Sequence, residues 1–403
     1  MNLTRLLGNI HELAAIGLTE QGGCRRIALT DDDRRGRDWA VGRMLALGMQ
    51  VQVDQLGNIF GTRAGREDIA PVMCGSHIDT VGNGGKYDGC YGVLAGLELV
   101  ESLNEQGTMT RRPLVVAIFT NEEGVRFMPD MMGSLVHAGG YPLQQALDCI
   151  GTDGVRLGDA LAAIGYAGSL PCGTIVPHAF LELHIEQGPR LEAEGIRIGA
   201  VEDLQGISWT EVSIDGQSNH AGTTPMALRH DAGYCAARLA VSMRSMARLM
   251  GGYQVATIGV LQLKPGLINV VPGSALLTID LRNTDEAKLR MAEERLASLL
   301  PQLAKEEGVC ITTRRLARFE PVRFDQGIVA LIEAEAAALG LSCRRMCSGA
   351  GHDAQMLARI CPTAMVFVPS ARGLSHHPDE YTAPEDLDAG AQVFARVMLK
   401  LAV

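Results

Sequence analysis

Four polar clusters in this chain combine cation-binding side chains with places where strands should end. His77, Asp79 and Asp88 fall in the glycine-rich stretch G75-S-H-I-D-T-V-G-N-G-G-K-Y-D-G, Glu122 and Glu123 follow the apolar run R112-P-L-V-V-A-I-F-T, Glu182, His184 and Glu186 alternate along L181-E-L-H-I-E, and His376 and His377 lie in G373-L-S-H-H-P. Taken singly, each has an ordinary reading: His, Asp and Gly are turn residues, and acidic pairs favour helix N-termini. Together they suggest a metal centre, because carboxyl ends of strands in open α/β sheets are where sites form. Imidazoles with carboxylates and no thiolate suit zinc, manganese or cobalt. Two adjacent carboxylates against a low-dielectric core repel each other, so something must neutralise them. One of the pair can bind a cation while the other takes a proton from metal-bound water. Asp79, two residues beyond His77, is spaced to hold that imidazole's second nitrogen.

The elements that must position these groups follow from hydrophobic pattern. I70-A-P-V-M-C-G, R112-P-L-V-V-A-I-F-T, A179-F-L-E-L-H-I and T363-A-M-V-F-V-P are short, nearly all-apolar runs, the signature of strands covered on both faces. V93-L-A-G-L-E-L-V-E-S-L has helical spacing between the first two, which predicts an α/β layer architecture. The middle differs. I207-S-W-T-E-V-S-I alternates apolar and polar, a long helix is expected at about 231–249, then strands at V255-A-T-I-G-V-L-Q-L and A275-L-L-T-I-D-L-R, a helix over 286–306, and the strand V309-C-I-T-T-R-R-L. This order predicts an α+β unit at about 208–320, inserted into a first domain made of 1–207 and 321–403.

A chain of 403 residues exceeds what one hydrophobic core usually serves. Thirty-six basic and forty-six acidic residues give a net charge of -10, against a general nucleic-acid-binding face. No apolar run reaches the length of a membrane span. The segment M1-N-L-T-R-L-L-G-N-I-H-E-L-A reads as an amphipathic helix rather than a signal peptide. Ten cysteines without CxxC pairing read mostly as buried, reduced thiols, and a cytoplasmic location is expected.

The ordered motifs G75-S-H-I-D-T, G84-G-K-Y-D-G, T120-N-E-E-G, E182-L-H-I-E-Q-G, G216-Q-S-N-H-A-G-T-T-P-M, N269-V-V-P-G, D280-L-R, S348-G-A-G-H-D and G373-L-S-H-H-P resemble, over nearly the whole chain, the M20-type co-catalytic metallopeptidase superfamily. Within it they resemble the branch of N-carbamoyl-L-amino-acid hydrolases, allantoate amidohydrolases and β-ureidopropionases. The resemblance implies a phosphorylase/hydrolase-like catalytic domain with a mixed central sheet, and a ferredoxin-like inserted lid and dimerisation domain. It implies two divalent ions (zinc, manganese or cobalt) on His77, Asp88, Glu123, His184 and His376, with Asp88 bridging and Glu122 as general base. His220 matches the family's oxyanion donor, serving the neighbouring subunit of a homodimer; by pattern alone it is a surface residue.

Arg282 matches the clamp on a small substrate's free carboxylate, although along T278-I-D-L-R it could equally pair with Asp280. Gln187, Asn269 and the backbone of Gly349 and Ala350 match further substrate contacts. His352 and Asp353 have no ligand role in the family pattern and are expected to support the site. Register between His376 and His377 is ambiguous by spacing; the family's S-H-x-P order favours His376. The expected reaction is hydrolysis of N-carbamoyl-L-amino acids. The alternatives are allantoate or β-ureidopropionate hydrolysis, a peptidase or aminoacylase activity, and a binding protein that kept the fold.

Overall fold

The computed structural model describes all 403 residues, which divide into two compact units: Met1–Glu202 with Arg323–Val403, and Asp203–Val322. In the larger unit a nine-stranded mixed sheet is flanked by helices. Its centre is four parallel strands in the order Leu114–Phe119, Val72–His77, Ala179–Ile185, Thr363–Val368. Every residue of these four is buried, as their unbroken apolar runs require. Fully burying each Val, Leu, Ile or Phe contributes about 1.5–3 kcal/mol. Antiparallel strands border this centre, Ile59–Arg63 beside Leu114–Phe119 and Ile198–Leu204 beside Thr363–Val368.

Parallel pairing levels the carboxyl ends of the central strands. His77 stands opposite Phe119, and Val368 opposite Ile185. The strand carrying His77 runs to His77 itself rather than stopping near Cys74, so the imidazole is fixed by the sheet. The helix Cys90–Glu105 packs on this strand, buried over nearly its whole length, and starts two residues after Asp88. All ten cysteines are free; Cys24, Cys74, Cys90 and Cys235 are buried. No helix is long and apolar enough to cross a membrane.

The smaller unit holds a four-stranded antiparallel sheet in the order Cys310–Phe319, Gly206–Asp215, Ser274–Asn283, Val255–Lys264. Helices Ala232–Met250 and Glu286–Glu307 cover one face, packing Leu239, Met243, Leu289 and Leu296 onto Leu277, Ile279 and Leu281. The period-two burial of Ser274–Asn283 is what a sheet with one covered face requires.

Candidate metal centre

The centre forms where the four parallel strands end. His77 terminates its strand, His184 lies one residue before the end of Ala179–Ile185, Glu122 and Glu123 follow Phe119, and His376 follows Val368 by eight residues. Asp88 returns to His77 through the glycine-rich loop. The return depends on Gly89: its φ is +64°, and a Cβ there would lie 2.4 Å from His77 Nε2.

Asp88 is the hub. Its Oδ1 is 3.6 Å from His77 Nε2 and 3.2 Å from His184 Nε2, while Oδ2 is 3.4 Å from His376 Nε2. Glu123 Oε2 is also 3.4 Å from His376 Nε2, and Glu122 Oε2 is 3.4 Å from His77 Nε2. Two of three possible ligand sets share Asp88, His77–Asp88–His184 and Asp88–Glu123–His376, the donor atoms of each within 4.8 Å of one another. His77 Nδ1 donates to the Asp79 carbonyl at 2.9 Å and His184 Nδ1 to the Ile185 carbonyl at 2.9 Å. Each ring is thereby held with Nε2 toward Asp88, the outer-nitrogen anchoring usual for metal-bound histidine.

Burial raises the Asp88 carboxyl, but hydrogen bonds from His184, His376 and His77 outweigh it and hold it well below the ordinary range. Burial, with Asp88 adding, pushes Glu123 up to about 8; burial lifts Glu122 well above its usual value despite the opposing His77. Three carboxylates crowded so that two resist ionising, with imidazole nitrogens between them, form a donor set suited to a divalent cation.

The Asp79 side chain departs from its expected role. The backbone carbonyl, not the carboxylate, takes the bond from His77; Asp79 Oδ1 stands 3.8 Å from that nitrogen. The carboxylate instead accepts the backbone N–H groups of Glu122 and Glu123, each at 3.3 Å. The backbone after His77 places the carbonyl at the ring, while the side chain reaches the neighbouring strand end. Gln187 also differs from a simple substrate contact: its Nε2 donates to Asp88 Oδ2 at 2.8 Å, and its backbone is left-handed at φ +56°.

Gly349 and Ala350 follow the strand Cys343–Ser348, with the Ala350 N–H bonded to Ser348 Oγ at 3.1 Å. His376, not His377, faces Asp88; His377 Nδ1 accepts from the Asp379 N–H. Behind His184, Glu182 and His352 form with it a third buried group whose donor atoms lie within 4.8 Å of one another. His352 packs edge-on against His184 at 4.5 Å, and Glu182 accepts from Ser76 Oγ and the Ala354 N–H. The His352 Nε2 meets Ser348 Oγ at 3.0 Å, so this group's donors are committed and it backs the centre. Asp353 accepts from Ser134 Oγ at 2.5 Å.

His220, Asn269 and Arg282 belong to the smaller unit. His220 is exposed on a two-residue strand paired with Val270–Val271, its Nδ1 accepting the Gly222 N–H at 3.0 Å, and the Asn269 carbonyl accepts the Ala221 N–H. Arg282 meets Asp280 through Nε, 3.1 and 3.0 Å from the two carboxylate oxygens, the in-strand pairing that the alternation allowed.

Sequence reasoning missed Glu380 and Ser375. Ser375 Oγ lies 3.2 Å from Asp88 Oδ2 and 2.9 Å from Glu380 Oε2. A lone glutamate in a loop has no spacing that marks it.

A mixed α/β sheet with histidines and carboxylates gathered at its strand ends has a place that could hold a metal ion. Residues 73–400 match the model of Peptidase family M20/M25/M40, and the chain belongs to that family. It is 39% identical over 403 residues to the N-carbamoyl-L-amino-acid amidohydrolase of Rhizobium meliloti, covering 100% of this chain and 97% of the relative. It is 36% identical to the allantoate amidohydrolase of Escherichia coli, covering 97% and 96%. The crystal structure of an amidase of the hydantoinase/carbamoylase family from Burkholderia vietnamiensis superimposes with a TM-score of 0.94 at 44% identity, covering 100% of this chain and 97% of the other. The chain is an enzyme of the metal-dependent amidohydrolase class.

Proposed function

We propose that this enzyme hydrolyses the carbamoyl C–N bond of N-carbamoyl-L-amino acids, with one water consumed and the L-amino acid, carbon dioxide and ammonia released. The observation that carries the reading is Asp88, whose two oxygens face separate imidazole sets with Glu122 alongside, in a chain similar over its full length to a carbamoyl-amino-acid amidohydrolase. His77, Asp88 and His184 would hold one divalent ion and Asp88, Glu123 and His376 a second, with zinc, manganese or cobalt compatible with these donors. Bound there, such ions supply Lewis acidity that activates water and polarises the substrate carbonyl.

The chain's own groups do the rest. Glu122 accepts the water proton and returns it to the departing amine. Its burial, with neighbouring carboxylates adding, raises its basicity, which suits that task. Gln187, Gly349, Ala350, Asn269 and Arg282 orient the substrate, the guanidinium taking its free carboxylate, and His220 donates to the tetrahedral oxyanion; these roles rest on the motifs that carry the resemblance. A homodimer belongs to the same reading. Val255–Lys264 is an edge strand with Val255, Val260, Leu261 and Leu263 exposed, a surface that favours pairing with a second chain.

The test is chelation, reconstitution with zinc, manganese or cobalt, and a panel of N-carbamoyl-L-amino acids, their D-enantiomers, β-ureidopropionate, allantoate and dipeptides, read by amine or ammonia release. The reading expects activity to vanish and return with metal, and kcat/KM to be highest for the carbamoyl-L-amino acids. A maximum at allantoate would replace the substrate. Full turnover by protein shown to be metal-free by elemental analysis would overturn the centre.

A further inference from the structure

We infer that Glu380 is a positioning residue that clamps the Asp88 loop onto the segment carrying His376, and so sets metal affinity by shape. The inference rests on the reading of Asp88 and His376 as ligands, and goes beyond it by assigning a residue that touches neither substrate nor ion.

Glu380 is 4% exposed. Its Oε1 accepts the backbone N–H of Tyr87 at 3.1 Å and of Asp88 at 3.2 Å, across 293 and 292 residues of chain. Oε2 accepts Ser375 Oγ at 2.9 Å, and the Glu380 N–H closes a turn onto the His377 carbonyl at 3.0 Å. One carboxylate therefore fixes the backbone of Asp88 on one side and the residue before His376 on the other. Gly85 makes room for it: a Cβ there would stand 2.1 Å from Glu380 Oε1 and 2.4 Å from its Cβ. The loop is built to receive this side chain.

A carboxyl group buried beside Asp88 is costly to ionise, since burial and a neighbouring like charge both disfavour the charged form. Nothing in ligand chemistry asks for it. Its use is geometric, because two backbone donors and a hydroxyl must be satisfied at once by a group of fixed reach. Neighbours of this kind commonly change metal affinity 10–100-fold.

Shape and charge separate in two substitutions. Glu380→Gln keeps the reach: its Oε1 can accept both N–H groups, and its amide can donate to Ser375 Oγ. Glu380→Asp keeps the charge and shortens the reach by one methylene. Each chelated variant is titrated with zinc and with cobalt by calorimetry, with the cobalt absorption spectrum as a second readout and circular dichroism as the folding check. The clamp predicts that Glu380→Gln binds within about threefold of the parent, whereas Glu380→Asp loses about 10–100-fold at one or both sites and changes the cobalt spectrum. The reverse order, or parent-like affinity and spectrum in both, overturns it. No substrate enters these measurements, so a wrong substrate assignment leaves the result standing. Should the parent itself bind no metal, the functional reading fails first and separately.

Discussion

Asp79→Asn separates two jobs that one buried carboxylate could do. In the structure its two oxygens each accept one backbone N–H, from Glu122 and Glu123 at 3.3 Å, while its carbonyl holds His77. Asparagine retains one acceptor and turns an NH2 toward the other N–H, so one charge-assisted bond worth about 1.5–3 kcal/mol is lost and the other becomes neutral. Relief of burying the charge offsets part of this, because burial is the largest influence raising the Asp79 carboxyl. A net loss of about 1–3 kcal/mol in stability is expected, measured by urea unfolding of the chelated protein. The larger effect falls on turnover. If the Glu122–Glu123 segment shifts by about 1 Å, kcat falls about 10²-fold. Metal affinity at the His77–Asp88–His184 set should change only a few-fold, since the Asp79 carbonyl still orients His77, and any larger loss should fall on the set that contains Glu123. A 10–100-fold loss at the His77 set with unchanged stability would refute this reasoning, and would return the Asp79 carboxylate to the imidazole.

Glu122→Gln keeps size and hydrogen bonding but accepts no proton, so kcat should drop roughly 10²–10⁴-fold with metal content intact by elemental analysis; near-normal turnover would place the base elsewhere. Gly89→Ala drives a methyl into the His77 ring and imposes a left-handed backbone on alanine, so metal titration should show the His77–Asp88–His184 set lost. The metal-free enzyme should lose thermal stability from pH 7 to 9. Glu123, raised to about 8, and His376, raised to about 9, both bind more protons folded than unfolded in that window, so stability present at lower pH is lost as pH rises through those values; a midpoint that is flat or climbs would contradict the apo electrostatics. Saturating metal should oppose this trend, because ligation requires the deprotonated groups.

How much of this was legible in the sequence depends on which atoms carry each interaction. The four central strands were readable because both of their faces are buried, and continuous apolar runs leave no other arrangement. Residue type suggested a metal centre, since imidazoles and carboxylates at successive strand ends have few joint uses, while the choice of His77, Asp88, Glu123, His184 and His376 within it came from the family resemblance. The direction of Asp79 was not readable. A residue two positions beyond a histidine can offer that ring either its carbonyl or its side chain, and the backbone path after His77 decides between them. Glu380 was hidden for a related reason: it bonds backbone N–H groups almost 300 residues away, and every non-proline residue has such a donor.

Residue type therefore overstates the number of ligands in a centre such as this one. Asp79, Glu182, Asp353 and Glu380 are all buried carboxylates close to the ligand sets, and each is committed to backbone N–H groups or hydroxyls. They hold the strand ends and loops on which the ligands stand. Substituting them should disturb geometry first, with metal affinity or rate following from it, whereas substituting Asp88 removes a donor from both ligand sets at once. The difference is measurable: an amide in place of a donor lowers metal affinity directly, whereas an amide in place of a clamp costs only the bonds it can no longer accept, one at Asp79 and none at Glu380.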